Sequence, residues 1–369
     1  MFVVWGILGL SFLVFFHELG HFVAARIFGV QVEAFSVGMG PVLLHRTYKG
    51  TDYRLSLIPI GGYCAMKGEQ DYQKALDSNS SVIEADSDSF YGINPFKRAL
   101  IGFAGPFFNL LFAFIAFTII ALTGYTYYSA GTTVTMADEA FENAYSAAHE
   151  AGLCSGDTII ALDGNEISAF NEIGSYVSLH GEKEILVTVL RDGKKLDFPV
   201  TPFFSKDDAA YLLGVVADSD SVYAHTVKPK HIFAAFAEAF VRTGTFLSVT
   251  VKSIAILFKG IDLTQTLSGP VRITTMLGTA VSEGFSEGVK SGIVSTLEWL
   301  SLISVSLFFT NLLPIPVLDG SLILFALLEG VTRRKMPPKV LYYIQMVGIV
   351  LIAALFAFVL FCDIKSFIH

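Results

Sequence analysis

Three ionisable side chains, His17, Glu18 and His21, interrupt an apolar run at the start of the chain, and the sixteen residues before them carry no charge. A charge near the centre of a membrane helix costs about 2.5–3.5 kcal/mol on insertion scales, so such side chains have partners or a function. In His17-Glu18-Leu19-Gly20-His21 the histidines are four apart and share one helix face. That spacing presents two imidazoles to one zinc ion and leaves Glu18 to act on a metal-bound water. The pattern inside a bilayer helix is a much narrower signal than the same pattern in a soluble one.

Of the 369 residues, 53% are hydrophobic, against roughly 45–50% in soluble domains. With its long uncharged segments, the chain reads as an integral membrane protein. The net charge of −8 and the scattered basic residues argue against a nucleic-acid partner. Cys64, Cys154 and Cys362 lie far apart, which argues against a disulfide framework or a cysteine zinc site. The N-terminus has no basic region and stays apolar to Ala25, so it reads as a retained helix and not a cleaved signal.

Four segments are apolar over the length a bilayer needs: 2–25, 99–123, 292–313 and 340–361. A fifth, 231–258, carries Glu238, Arg242, Lys252 and Lys259, which fall within an arc of about 100° and make it amphipathic. Basic residues concentrate between the first two spans (Arg26, Arg46, Lys49, Arg54, Lys67, Lys74, Lys97, Arg98) and before the last (Arg333, Arg334, Lys335, Lys339). Both loops read as cytoplasmic. Four spans satisfy both, with 231–258 on or dipping into the membrane and both termini outside.

The expected fold is a polytopic α-helical membrane protein of four transmembrane helices, with a membrane-associated β-hairpin region and one extracytoplasmic α/β domain. In order, these are a first helix at 1–25, the hairpin region with an acidic loop at 26–98, a second helix at 99–124, the outer domain at 125–222, an amphipathic segment at 223–291, a third helix at 292–313, a loop at 314–339 and a fourth helix at 340–361. Residues 70–94 are Ser/Asp-rich and read as a solvent loop. Asp163-Gly164 and Asp192-Gly193 are hairpin signals in the outer domain. The stretch Ala151-Gly152-Leu153-Cys154-Ser155-Gly156-Asp157-Thr158-Ile159 resembles the start of a PDZ domain, which implies a peptide groove.

Catalytic zinc takes three protein ligands and an open position. None of the other six histidines lies in a firm span, and Asp319, in an apolar stretch of its own, is the best remaining ligand. The first and third spans both run outside to inside, which puts His17, His21 and Asp319 near one face. Pro314 and Pro316 would break the helix and let the aspartate turn back into the bundle.

The HELGH helix, Ile58-Pro59-Ile60-Gly61-Gly62-Tyr63, Gly102-Phe103-Ala104-Gly105-Pro106-Phe107-Phe108-Asn109, the PDZ-like insert and Asn311-Leu312-Leu313-Pro314-Ile315-Pro316-Val317-Leu318-Asp319-Gly320 occur in that order. The chain resembles the site-2 proteases over nearly its whole length, in the bacterial branch that includes the regulator of sigma-E protease, here with a single PDZ-like domain. The resemblance implies an intramembrane zinc metalloprotease of the bacterial inner membrane that cuts single-span membrane proteins, such as anti-sigma factors, or remnant signal peptides. It carries Zn2+ binding onto His17, His21 and Asp319 and the catalytic base onto Glu18. It also makes 53–63 a membrane-associated hairpin strand that pairs with unwound substrate, with Gly61, Gly62 and Tyr63 as candidate substrate contacts. Asn311 is the candidate oxyanion donor, with binding of the substrate backbone as its other role. Asn109 either contacts substrate or bonds another helix. A di-iron oxidase would need more intramembrane histidines, and a zinc transporter would need polar residues across the whole bilayer.

Overall fold

The structure, a computed structural model, describes residues 2–80, 82–142, 144–205, 210–218, 222–257 and 269–368. It forms two units: Met1–Leu122 with His231–Leu247 and Ser268–His369, and Thr123–Lys230 with Ser248–Leu267. Lys259 and the end of the 231–258 segment lie outside the described residues, as do 143, 206–209 and 219–221 of the second unit.

The first unit begins with helix α1 (Phe2–Ile27). It stops in a Schellman turn: Gly29 takes φ +81°, and the Val30 and Gly29 N–H groups donate to the Ala25 and Arg26 carbonyls at 2.9 and 3.4 Å. Strands β1 (Val32–Tyr48) and β2 (Thr51–Met66) form one long hairpin, turned by Lys49-Gly50 with both residues at positive φ. Bulges fold the pair on itself, so that Ala34–Val37 pair with Gly62–Ala65 on one side and face Asp52–Leu55 on the other.

Residues 70–94 are more ordered than their composition suggests. They hold the short helix α2 (Asp71–Asp77), where Tyr72 and Ala75 bury together with Ile83 against Leu341. Helix α3 (Pro95–Thr123) follows.

After the second unit come α5 (Ile232–Leu257), α6 (Pro270–Ser286), α7 (Val289–Leu312), α8 (Asp319–Thr332) and α9 (Pro338–Ile368), α4 being in the second unit. Helix α6 was not expected within 223–291. It packs on α1 where glycines allow close approach: a Cβ on Gly6 would meet the Thr274 carbonyl oxygen at 2.0 Å. Its N-terminus is capped by Asp363 of α9, which accepts the Gly269 and Val271 N–H groups at 2.8 and 3.1 Å.

Among the described residues five helices are long and apolar enough to cross a membrane: Val4–Ile27, Pro95–Thr123, Ile232–Lys252, Val289–Leu312 and Pro338–Asp363. In α5, Arg242 does not face solvent as an amphipathic surface helix would suggest. It pairs with Glu298 of α7 at 2.5 Å and lies 4.8 Å over the Phe117 ring.

The second unit is built on an antiparallel sheet ordered β4-β3-β5-β6: Asn165–Glu166, Thr158–Leu162, Ile185–Arg191 and Lys194–Val200. Asp163-Gly164 and Asp192-Gly193 form its two-residue turns at positive φ. Helix α4 (Phe170–His180) places Ile173 and Val177 in a core with Leu153, Ile159, Val187 and Val189.

The Asp157 carboxylate, with a side chain 1% exposed, accepts Arg191 Nε and Nη2 at 2.7 Å each and the Cys154 N–H at 2.9 Å. Burial alone would raise its pKa, but the guanidinium and the N–H outweigh this and hold it below the usual carboxylate range. A depressed folded-state pKa stabilises fully above the unfolded value of about 4, and the gain is lost as pH falls through the folded value. Asp157→Asn is therefore expected to weaken the unit by about 1.5–3 kcal/mol at neutral pH, read as faster hydrogen exchange of β3 and β5 amides. The difference should vanish in strong acid, and a pH-independent difference would contradict the assignment.

Candidate metal centre

His17 and His21 lie on one face of α1, with only 9% and 7% of their surface exposed. Their Nε2 atoms are 3.2 Å apart. Asp319, the first residue of α8, brings Oδ2 to 3.1 Å from His17 Nε2 and Oδ1 to 3.3 Å from His21 Nε2. One ligand atom from each of the three lies within 4.8 Å of the others. Tetrahedral zinc with bonds of about 2.0–2.1 Å has ligand–ligand edges of roughly 3.3 Å, so this set has the spacing of three corners of such a site. Two imidazoles and one carboxylate are also a donor set that catalytic zinc uses, and they leave the fourth corner open.

The approach of Asp319 depends on the chain reversal after α7. The run Leu313-Pro314-Ile315-Pro316 cannot continue a helix, and Val317 sits at φ +81°, a strained value for a β-branched residue. Gly320 makes the return possible, because a Cβ there would lie 2.3 Å from the Leu313 carbonyl oxygen. The stretch expected as a loop at 314–339 therefore opens with only five residues of turn before α8 takes over. Its sequence from Asp319 onward is apolar with good helix formers, and the prolines sit before the helix.

The opposite wall is α3, which meets the imidazoles with residues at i, i+4 and i+8. The Ile101 carbonyl accepts the His21 Nδ1 proton at 2.8 Å. Gly105 leaves the space the rings occupy: a Cβ there would sit 2.2 Å from His21 Nε2 and 2.8 Å from His17 Cε1. Asn109, fully buried, sets its side-chain amide 3.1 Å from His17 Nδ1.

A cavity of about 700 Å³ opens on the three candidate ligands and is also lined by Glu18, Tyr63 and Asn311. Gly61 and Gly62 do not line it. Gly62 instead lets the strand pass close to α1: its Cβ position is 2.8 Å from the Ser36 carbonyl oxygen and 3.6 Å from Glu18 Cγ. Asn109, expected either to contact substrate or to bond another helix, is not among the residues lining the cavity, and its side-chain amide meets His17 of α1.

Cys64, Glu69, Tyr72 and Gln345 also line the cavity and had no sequence pattern to mark them. Burial holds the Glu69 carboxyl above the usual range, although it accepts the Met66 N–H.

The family model described as Peptidase family M50 matches residues 5–355. Among curated relatives, a protein of Treponema pallidum (strain Nichols) is 33% identical, with 100% of this chain and 99% of its own length aligned. One of Campylobacter jejuni is 35% identical over 98% of this chain and 93% of its own, and one of Helicobacter pylori is 31% identical over 95% and 94%. All three carry zinc metalloprotease names.

Proposed function

Because the chain belongs to peptidase family M50 and is a membrane zinc metalloprotease, we propose that it cuts the transmembrane segments of single-span proteins, or remnant signal peptides, at the His17–His21–Asp319 centre. The observation that carries this reading is the convergence of three ligand atoms within 4.8 Å on a cavity that Glu18 shares.

His17, His21 and Asp319 would hold the zinc, which would supply acidification of the attacking water toward a pKa of about 7 and Lewis-acid polarisation of the scissile carbonyl. Glu18 accepts the proton of the attacking water and passes it to the leaving amine. Asn311 offers its side-chain amide to the carbonyl oxygen as charge develops there, or to the substrate backbone beside it. A helical substrate hides its carbonyls in internal hydrogen bonds, so cleavage needs local unwinding. Gly62–Met66 pairs with β1 on one side, and its Tyr63–Met66 part lines the cavity. An unwound substrate adding there as a further strand would offset part of that cost. Gly62 lets this strand run close to β1 and α1, Gly61 lies against Met39 of β1, and Tyr63 borders the path.

The second unit is the PDZ-like domain. A groove of about 530 Å³ runs between α4 and the strand Val215–Ala217, lined by Phe170, Ile173, Val177 and Leu213. It suits an extended apolar peptide and would limit which substrates pass. The clustering of basic residues in two loops supports a metal centre near the cytoplasmic face of a bacterial inner membrane, with this domain and both termini outside and α5 lying on or dipping into the bilayer.

Glu18→Gln is expected to reduce cleavage of a single-span substrate by about 10²–10⁴-fold while bound zinc stays at the unaltered level. Undiminished cleavage in membranes would sink the assignment of Glu18.

A further inference from the structure

We infer that Asn109 is a positioning residue for His17: its side-chain oxygen accepts the Nδ1 proton and thereby leaves Nε2 free to bind metal. The inference rests on the proposed ligand set and adds to it the group that prepares one ligand.

A neutral imidazole carries one proton, and a ring that ligates through Nε2 must carry it on Nδ1. For His21 the structure settles the matter without a side chain. Its Nδ1 faces the Ile101 carbonyl at 2.8 Å, a group that only accepts, so the proton is on Nδ1 and Nε2 keeps its lone pair. For His17 the facing group is a side chain: its Nδ1 lies 3.1 Å from the atom assigned as Asn109 Nδ2.

An amide can face the ring in two ways, with opposite consequences. With Nδ2 toward the ring it donates to Nδ1, and the proton must sit on Nε2, against the Asp319 carboxylate. With Oδ1 toward the ring it accepts from Nδ1, and Nε2 points its lone pair at the space it shares with His21 Nε2 and Asp319. As assigned, with Nδ2 toward the ring, the amide oxygen is enclosed and meets no donor among the described residues. Exchanging the two amide atoms therefore breaks no bond to the oxygen and gives it the Nδ1 proton as a partner. The backbone beneath it is fixed, because the buried Ser304 hydroxyl of α7 donates to the Asn109 carbonyl at 2.8 Å. One helix face thus supplies both backings, a main-chain oxygen for His21 and a side-chain oxygen for His17.

The test uses the full-length protein in nanodiscs, with zinc affinity measured by chelator competition and the unfolding temperature of the metal-free protein followed in parallel. Asn109→Leu fills the same space without an acceptor and is expected to weaken zinc binding by about 10–100-fold. Asn109→Asp restores an acceptor and is expected to bring affinity back to within about threefold of the unaltered protein. Unweakened binding by Asn109→Leu would overturn the proposal. Equal weakness of Leu and Asp variants at unchanged unfolding temperature would also overturn it, by reducing Asn109 to packing. His17→Ala is the control: if it too binds zinc at full affinity, the ligand set beneath the proposal is what fails.

Discussion

Gly105→Ala is expected to remove zinc binding and proteolysis together without unfolding the protein. The added methyl would lie 2.2 Å from His21 Nε2 and 2.6 Å from its Cε1, and 2.8 Å from His17 Cε1. Relief requires ring displacements of about 1 Å or more, against a tolerance of roughly 0.2 Å in metal–ligand distances. Zinc affinity should fall by more than about 100-fold. Alanine is the better helix former by about 1 kcal/mol, so the substitution favours α3 itself, and loss of the centre cannot be attributed to a weakened helix. Gly244→Ala serves as the control, because a Cβ there meets nothing within 4 Å. Metal content of purified protein checks the expectation, and a Gly105→Ala protein with its full zinc complement would refute the geometry.

The other large effect concerns a buried ion pair. Arg98 of α3 and Glu329 of α8 are 6% and 7% exposed and bonded to each other. Glu329 also accepts the Met336 N–H at 2.7 Å, and the guanidinium lies 5.2 Å over the Tyr91 ring. Removing one partner leaves the other charged and enclosed, at a cost of about 3–5 kcal/mol. Arg98→Met and Glu329→Leu should each lower the unfolding temperature of the membrane-embedded protein sharply. The double variant should recover most of the loss, since an apolar pair of similar volume is often as stable as the ions it replaces. Because α8 carries Asp319 at its start, the single variants should weaken zinc binding as well. Additive losses in the double variant would show that the two charges act independently.

The parts of this molecule that stand out in its sequence are those where a residue type conflicts with its surroundings. His17, Glu18 and His21 are conspicuous because their neighbours are apolar, and Asp319 because it is an acid between Leu318 and an apolar helix. The α3 wall is different. Gly105 is one of 32 glycines, and only the imidazoles packed against it give it meaning. The Ile101 contribution is a main-chain atom, invisible in side-chain identity. Asn109 was noticeable as a polar residue in an apolar helix, yet its partner on α1 is a matter of packing. Residues 70–94 misled because Ser and Asp dominate them, while order there depends on three side chains that bury against α9. Helix α6 was hidden for a related reason: its small and hydroxylated residues look like a loop until they meet the glycines of α1.

The candidate ligands come from the two ends of the chain, about 300 residues apart. With that ligand set, a nascent protein can hold α1, the hairpin, α3 and the second unit and still lack a third donor. It becomes a protease only when Asp319 has been made and α8 has turned back beside α1. On the proposed site the order of synthesis acts as a safeguard: an unfinished copy has Glu18 and two imidazoles in place, but lacks the third proposed ligand with which to cut its neighbours.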